Sequence, residues 1–177
     1  MYTVKISEKE YTKYEDYAEL YEYIYNRQKS RGRFGAYGAF AICSEDVAKS
    51  MALIYDKRND SDDKNRLFHA IIRFEDEDNH EETADRIFRY AQGIAEIIGE
   101  NHQVVFGVHW LNDDGYVLLE HPEIHLMINS VKWSTLDVVE NTTENRTKLV
   151  DQIRDAVPRA IQKYNNGGFD EKETGEC

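Results

Sequence analysis

Two apolar segments joined by a strong turn signal constrain the fold more than any other feature of this 177-residue sequence. Residues 102–110 and 123–131 are each mostly apolar and are predicted to be strands. Between them, Asn112-Asp113-Asp114-Gly115 is typical of a tight turn. We therefore predict an antiparallel hairpin, with a short extra strand over 116–119 as a further possibility.

The other predicted elements alternate between strands and helices. Strands are predicted over 2–6, 38–43 and 67–74, the last a buried one because its apolar run is bounded by charges. Helices are predicted over 12–27, from Ser44 to about Tyr55, over 81–99 and over 144–164, with Pro158 expected to kink or interrupt the last helix. This order predicts an α+β fold, in which helices cover a largely antiparallel central sheet of about five strands.

The length fits a single domain, which we assign to residues 1–165, followed by a disordered acidic tail at 166–177. No apolar run approaches the roughly 20 residues of a membrane-spanning helix, and the N-terminus lacks a stretch of signal-peptide type. We therefore expect a cytoplasmic protein without a membrane segment. Cys43 and Cys177 offer neither a disulfide framework nor the spacing of a metal knuckle.

The charge distribution bears on nucleic-acid binding in two opposite ways. A formal net charge of -12 argues against non-specific binding, because lysine and arginine supply most of the affinity for phosphates. A local run without acidic residues nevertheless carries four cations: Arg27, Lys29, Arg31 and Arg33. This run is either a local DNA-binding surface or a solvated helix end.

The histidines indicate a metal site, because four of the six fall within 24 residues. Strand alternation places Glu123 and His125 on one face, and the predicted hairpin brings His109 beside them. Nitrogen and oxygen ligands with open positions suit a divalent ion that also binds substrate. His121 is a rival ligand, provided that the strand continues through Pro122. The alternative is that these histidines flank a loop or bond within the strand, with Glu123 exposed.

The sequence also resembles a known family. Residues 101–109, Asn-His-Gln-Val-Val-Phe-Gly-Val-His, and 122–131, Pro-Glu-Ile-His-Leu-Met-Ile-Asn-Ser-Val, resemble the metal motif of the plasmid relaxase and mobilisation nuclease family. In that family, a lone histidine ends one strand and a His-hydrophobic-His sequence lies on the next. Residues 67–74 resemble its preceding strand, and residues 23–30 resemble its N-terminal tyrosine motif. The resemblance spans about residues 15–165 and implies the relaxase fold.

Position by position, the resemblance implies that His109 and His125 are metal ligands and that Tyr23 is the nucleophile. Two positions depart from the family pattern. Glu123 replaces the first histidine of the pair, and Arg73 stands where the family usually has serine. A glutamate ligand favours Mg²⁺ or Mn²⁺. About nine extra residues also separate His109 from Glu123.

The resemblance implies nicking and rejoining of single-stranded DNA at a transfer origin, with accessory mobilisation proteins as further partners. The expected intermediate is a 5′-phosphotyrosine. Helical spacing places Tyr21 in the apolar stripe and Tyr23 beside it, with Tyr25 as a reserve nucleophile. No base is identifiable from the sequence; His69 is a candidate, although a core position is favoured for it. The alternatives are a degenerate domain that binds without cutting and a metal-dependent hydrolase that uses water.

Overall fold

The computed structural model describes residues 1–38, 47–58, 65–112 and 114–166. Within these residues, five strands and five helices form the domain. The strands are β1 (Tyr2–Ile6), β2 (Phe34–Tyr37), β3 (Leu67–Phe74), β4 (His102–Leu111) and β5 (Leu118–Lys132). The helices are α1 (Glu15–Ile24), α2 (Arg27–Ser30), α3 (Val47–Asp56), α4 (Glu81–Gly99) and α5 (Thr143–Asn165).

All strands join one sheet in the order β1-β3-β5-β4-β2, and every neighbouring pair is antiparallel. The predicted α+β fold with a five-stranded antiparallel sheet is therefore confirmed. The predicted hairpin is confirmed as well, because β4 pairs with β5 and His109 lies opposite Glu123. The structure assigns the possible extra strand at 116–119 to the start of β5, which begins at Leu118.

Helices cover both faces of the sheet, which explains why the central strands are apolar rather than alternating. On one face, α4 and α5 pack against alternate residues such as Ile72, Phe106 and Leu126. On the other, α1 and α3 pack against Leu67, Val105 and Met127. Strand residues with odd numbers in β3, β4 and β5 therefore share the face covered by α1 and α3.

The first predicted helix is shorter than expected. Instead of a helix over 12–27, α1 ends at Ile24 and the short helix α2 begins at Arg27. The Asn26 side chain accepts hydrogen bonds from the backbone N–H groups of Gln28 and Lys29, so it caps a new helix. The asparagine was the available sequence signal for this break.

The last helix runs unbroken from Thr143 to Asn165, so the predicted interruption at Pro158 does not occur. Proline lacks the N–H that would bond to the carbonyl of Arg154, four residues earlier. The hydroxyl of Tyr2 donates to that carbonyl at 3.1 Å, which satisfies the group that Pro158 leaves without a helical partner. Burial of Ile153 and Val157 against the sheet holds the helix in place on both sides of this point.

Several predicted elements match closely, and others lie outside the described residues. The bounds of β1, β3 and α4 are those predicted from the sequence. The predicted strand at 38–43, the N-cap at Ser44, most of the polar loop at 57–65 and the tail at 166–177 fall largely or wholly outside the described ranges. None of the described helices is long and apolar enough to cross a membrane.

Candidate functional site

Three histidines and one tyrosine meet on the sheet face covered by α1 and α3. The ring of Tyr23 lies edge-on to the rings of His69, His109 and His125, with centroid separations of 5.8, 5.2 and 5.3 Å. The rings of His109 and His125 are themselves 4.2 Å apart. The three histidines are buried, whereas Tyr23 is 41% exposed, so the tyrosine forms the solvent-facing side of the cluster.

A glycine in β4 allows the end of α1 to approach the sheet this closely. A Cβ atom at Gly107 would lie 2.4 Å from the carbonyl oxygen of Ile24, the last residue of α1. That terminal carbonyl has no donor within the helix, and Nε2 of His109 lies 3.1 Å from it. Because a carbonyl only accepts, His109 donates from Nε2. The contact fixes Tyr23, the preceding residue, above the histidines.

The three imidazoles are neutral in the folded chain. Burial lowers the pKa of His69 and of His109 to about 3, and charge repulsion from His125 adds to the effect at both. Burial also lowers the pKa of His125, against the opposing influence of Glu123. Neutral imidazoles retain a lone pair, which metal coordination requires. In His109 that lone pair is on Nδ1, since Nε2 carries the proton.

The two departures from the family pattern meet as an ion pair. Arg73 lies opposite Glu123 in the β3–β5 ladder, and its Nε donates to Oε1 at 2.8 Å. The other carboxylate oxygen, Oε2, lies 3.3 Å from Nε2 of His125. Contact with His125, together with the bonds from Arg73, lowers the pKa of Glu123 to about 2. Arg73 therefore occupies one carboxylate oxygen and leaves the other facing the histidines.

The donor atoms of Glu123 and His125 provide a test of whether a metal ion fits. Nε2 of His125 is buried and has no hydrogen-bond partner, because its approach to Oε2 lacks hydrogen-bond geometry. Two ligands about 2.1 Å from one ion are about 3.0–3.4 Å apart, which matches this 3.3 Å separation. Donor type and spacing thus fit a divalent ion at these two residues.

The complete predicted ligand set is not already assembled around a common point. Within the described ranges, no group of three or more histidine, cysteine, aspartate or glutamate side chains is arranged to hold a metal ion. His109 is adjacent to His125, but its Nε2 is occupied by the carbonyl of Ile24. β5 continues through Pro122, but His121 lies where the β4–β5 register shifts, and its ionic contact is with Glu120 at 3.9 Å.

Pro122 is tolerated because it lies where the ladders are irregular. The described β3–β5 register ends at Glu123, and the β4–β5 register shifts between His109 and Leu111. A proline here removes no regular ladder bond. The extra residues noted in the sequence therefore lengthen β5 and the turn without disturbing the alignment of His109 with Glu123.

The basic run divides into exposed and buried members. Arg27 and Arg31 are exposed, whereas Arg33 is buried and paired with Asp85 at 2.7 Å. Lys29 is also buried, with its ammonium 4.4 Å from the centroid of the Tyr23 ring. Positive charge is thus next to the candidate nucleophile, where it favours the approach of an anionic phosphodiester.

The neighbouring tyrosines occupy different surroundings. The rings of Tyr21 and Tyr25 stack on each other at 5.3 Å, and Tyr25 also contacts Phe34. Of the three nearby tyrosines, Tyr23 is the one whose ring contacts with the histidine cluster are described. The sequence did not reveal the position of His69 or the Arg73–Glu123 pair. Both depend on the register between β3 and β5, which places residues 69, 73, 123 and 125 on one face of the sheet.

Comparison with known proteins adds an independent finding. The family model described as "Relaxase: MobA/VirD2-like, nuclease domain" matches residues 23–162, most of the chain. The match includes the tyrosine, all three clustered histidines and the Arg73–Glu123 pair. No curated protein matches the chain. The sheet, the histidine cluster and the extent of this match together show that the chain belongs to the MobA/VirD2-like relaxase family and contains its DNA-nicking nuclease domain.

Proposed function

We propose that this domain nicks and rejoins one DNA strand at a transfer origin, through attack of Tyr23 on a phosphodiester. The observation that carries the proposal is the position of Tyr23, whose exposed ring contacts three buried histidines. The substrate is single-stranded DNA of a plasmid or other mobile element, in the cytoplasm. Accessory mobilisation proteins are further partners that we propose.

In the proposed reaction, the hydroxyl oxygen of Tyr23 forms a bond to phosphorus while the bond from phosphorus to the 3′ oxygen breaks. The products are a 5′-phosphotyrosine and a free 3′-hydroxyl. The phenolic proton is balanced by the proton that the leaving 3′ oxygen gains, so no other reactant is consumed. One ester replaces another, which makes the reaction reversible and permits rejoining.

We assign a divalent ion, Mg²⁺ or Mn²⁺, to His109, Glu123 and His125. Oε2 of Glu123 and Nε2 of His125 supply two donors, and the lone pair on Nδ1 of His109 supplies the third. When bound, the ion would stabilise the charge that develops on the phosphate oxygens. Because the described residues do not already hold three donors around one point, binding requires these side chains to adjust.

Arg27, Lys29, Arg31 and Arg33 form the proposed basic side of the DNA site, with different tasks. The exposed side chains of Arg27 and Arg31 are suited to the phosphate backbone on either side of the cut. Lys29 is close enough to Tyr23 to attract the phosphodiester itself. Arg33 is buried, and we expect its ion pair with Asp85 to stabilise the segment that carries this surface.

Covalent trapping tests the proposal directly. The protein is incubated with Mn²⁺ and with single-stranded oligonucleotides that tile the non-coding DNA of its own replicon, and adducts are detected on denaturing gels. We expect an adduct with the wild type and none with Tyr23→Phe, because phenylalanine keeps the ring contacts but lacks the nucleophile. Tyr21→Phe and Tyr25→Phe are matched controls and should retain it. A fully active Tyr23→Phe variant would reject the assignment.

The second candidate is a degenerate relaxase domain that binds DNA or a partner without cutting. The lack of a preassembled three-ligand group in the described residues favours it. Strand-specific DNA binding by the wild type without any adduct would support this alternative. Cleavage that survives the combined loss of Tyr21, Tyr23 and Tyr25 would instead indicate a hydrolase that uses water.

A further inference from the structure

We propose that His69 is a positioning residue for His125, and that it provides the acceptor that keeps the His125 proton on Nδ1 when a metal ion binds Nε2. The inference deepens the proposed function and rests on its metal site. His69 is in β3, outside the proposed ligand set, and its two ring nitrogens face Tyr11 and His125.

A chain of polar groups runs from buried Tyr11 through His69 and His125 toward the proposed ion. The hydroxyl of Tyr11 lies 3.3 Å from Nδ1 of His69, and Nε2 of His69 lies 3.0 Å from Nδ1 of His125. On the opposite side of the same ring, Nε2 of His125 faces Oε2 of Glu123 at 3.3 Å. The two nitrogens of His125 therefore face different groups.

Metal binding determines the direction of the hydrogen bonds in this chain. An ion on Nε2 of His125 takes its lone pair, so the proton of the neutral ring is on Nδ1. That N–H is buried and needs an acceptor, since an unpaired buried donor costs about 1–3 kcal/mol. Nε2 of neutral His69 provides the lone pair, and its Nδ1–H then donates to the oxygen of Tyr11.

The geometry separates this role from direct coordination by His69. The nitrogen of His69 that approaches His125 is next to Nδ1, whereas Glu123 is next to Nε2. His69 thus contacts the nitrogen that faces away from the proposed ion. Metal-binding histidines commonly donate their second N–H to a fixed partner, and loss of that partner typically costs 10–100-fold in metal affinity.

The experiment measures binding of Mn²⁺ alone, by the electron paramagnetic resonance signal of the free ion, without DNA. Two variants separate the acceptor from the volume of the ring. His69→Leu removes the acceptor, and we expect about 10–100-fold weaker Mn²⁺ binding. His69→Gln retains a side-chain oxygen that can accept from Nδ1 of His125, so we expect it to restore most of the affinity.

His102→Leu is the matched control for loss of a buried histidine. His102 is a buried residue of β4 that donates to the carbonyl of Asn129, outside the chain from Tyr11 to Glu123. We expect this variant to bind Mn²⁺ as the wild type does. Urea unfolding of each metal-free variant shows that affinity is compared among folded proteins.

The possible outcomes distinguish this inference from the proposed metal site. A wild type that binds Mn²⁺, together with an equally tight His69→Leu variant, would overturn the role of His69 alone. Equal weakening by leucine and glutamine would also overturn it, because the acceptor would then make no difference. A wild type that binds no Mn²⁺ would overturn the metal site itself and with it this inference.

Discussion

Acidification from pH 7.5 to pH 5 should destabilise the metal-free protein through its buried histidines. Burial lowers the pKa of His69 and His109 from the ordinary 6.5 to about 3, so both rings stay neutral in the folded chain at pH 5. The unfolded chain takes up protons near pH 6.5. The contribution of the neutral His69 and His109 rings to the free energy of unfolding is therefore fully present above pH 6.5 and is lost as the pH falls toward 3.

The size of the effect follows from the proton uptake. For each histidine that stays neutral in the folded chain, the free energy of unfolding falls by about 1.4 kcal/mol per pH unit below 6.5. The loss is about 2 kcal/mol by pH 5. His69 and His109 together give about 4 kcal/mol, a large share of the roughly 5–15 kcal/mol that stabilises a typical domain. The lowered pKa values of His102 and His125 act in the same direction.

The charged neighbours do not reverse this sign. Lys9 lowers the pKa of His69 further and Lys29 lowers that of His109, while Glu123 opposes both shifts. The pKa of Glu123 is itself lowered to about 2, so the stability it contributes is lost only below its ordinary value of 4.5. Its titration therefore lies outside the interval from pH 7.5 to pH 5.

Urea unfolding at 25 °C and a series of pH values, with a chelator present, measures the effect. We expect the free energy of unfolding to fall by about 4 kcal/mol or more between pH 7.5 and pH 5. His69→Gln removes one of the titrating rings, so its loss over the same interval should be smaller by about 2 kcal/mol. A pH-independent free energy, or an unchanged dependence in His69→Gln, would refute this reasoning.

Two further predictions concern the nucleophile and the DNA surface. Gly107→Ala should lower the free energy of unfolding in urea by about 1–3 kcal/mol and abolish the covalent adduct. The reason is that the added Cβ would lie 2.4 Å from the Ile24 carbonyl oxygen and would force α1 away from the sheet. Normal stability and a normal adduct yield would contradict this. Replacing Arg27 and Arg31 together with alanine should reduce the slope of log K against log salt for single-strand binding by about 1.4, or about 0.7 for each lost phosphate contact. An unchanged slope, from affinities titrated over a salt series, would exclude them from the interface.

The core of the fold was predictable because local pattern and tertiary burial agree there. The bounds of β3 and α4 follow from an apolar run between charges and from helical spacing with a terminal glycine. The end of α1 and the continuity of α5 were not predictable in the same way. They depend on the cap formed by Asn26 and on the contact between Tyr2 and the carbonyl freed by Pro158.

The candidate site was predictable where it depends on one strand or one hairpin. Alternation in β5 places Glu123 and His125 on one face, and the tight turn predicts that β4 pairs with β5. The alignment of His109 with Glu123 depends in addition on the register shift between His109 and Leu111, which the sequence did not predict. His69 comes from β3, and its approach to His125 depends on the register between two strands that are distant in sequence. No local pattern determines that register, so a role for His69 beside the proposed ligand His125 was beyond the sequence alone.

The structure changes the meaning of the two departures from the family pattern. Considered separately, a glutamate in place of a histidine and an arginine in place of a serine each suggest decay of the site. In the fold they face each other, and Arg73 binds Oε1 of Glu123 while Oε2 remains directed at His125. Contact with His125 and the bonds from Arg73 lower the pKa of Glu123, and Arg73 also orients the carboxylate, so Oε2 is suited to act as a ligand. Loss of Mn²⁺ binding in Arg73→Ala with Glu123 intact would show that the substitutions act together.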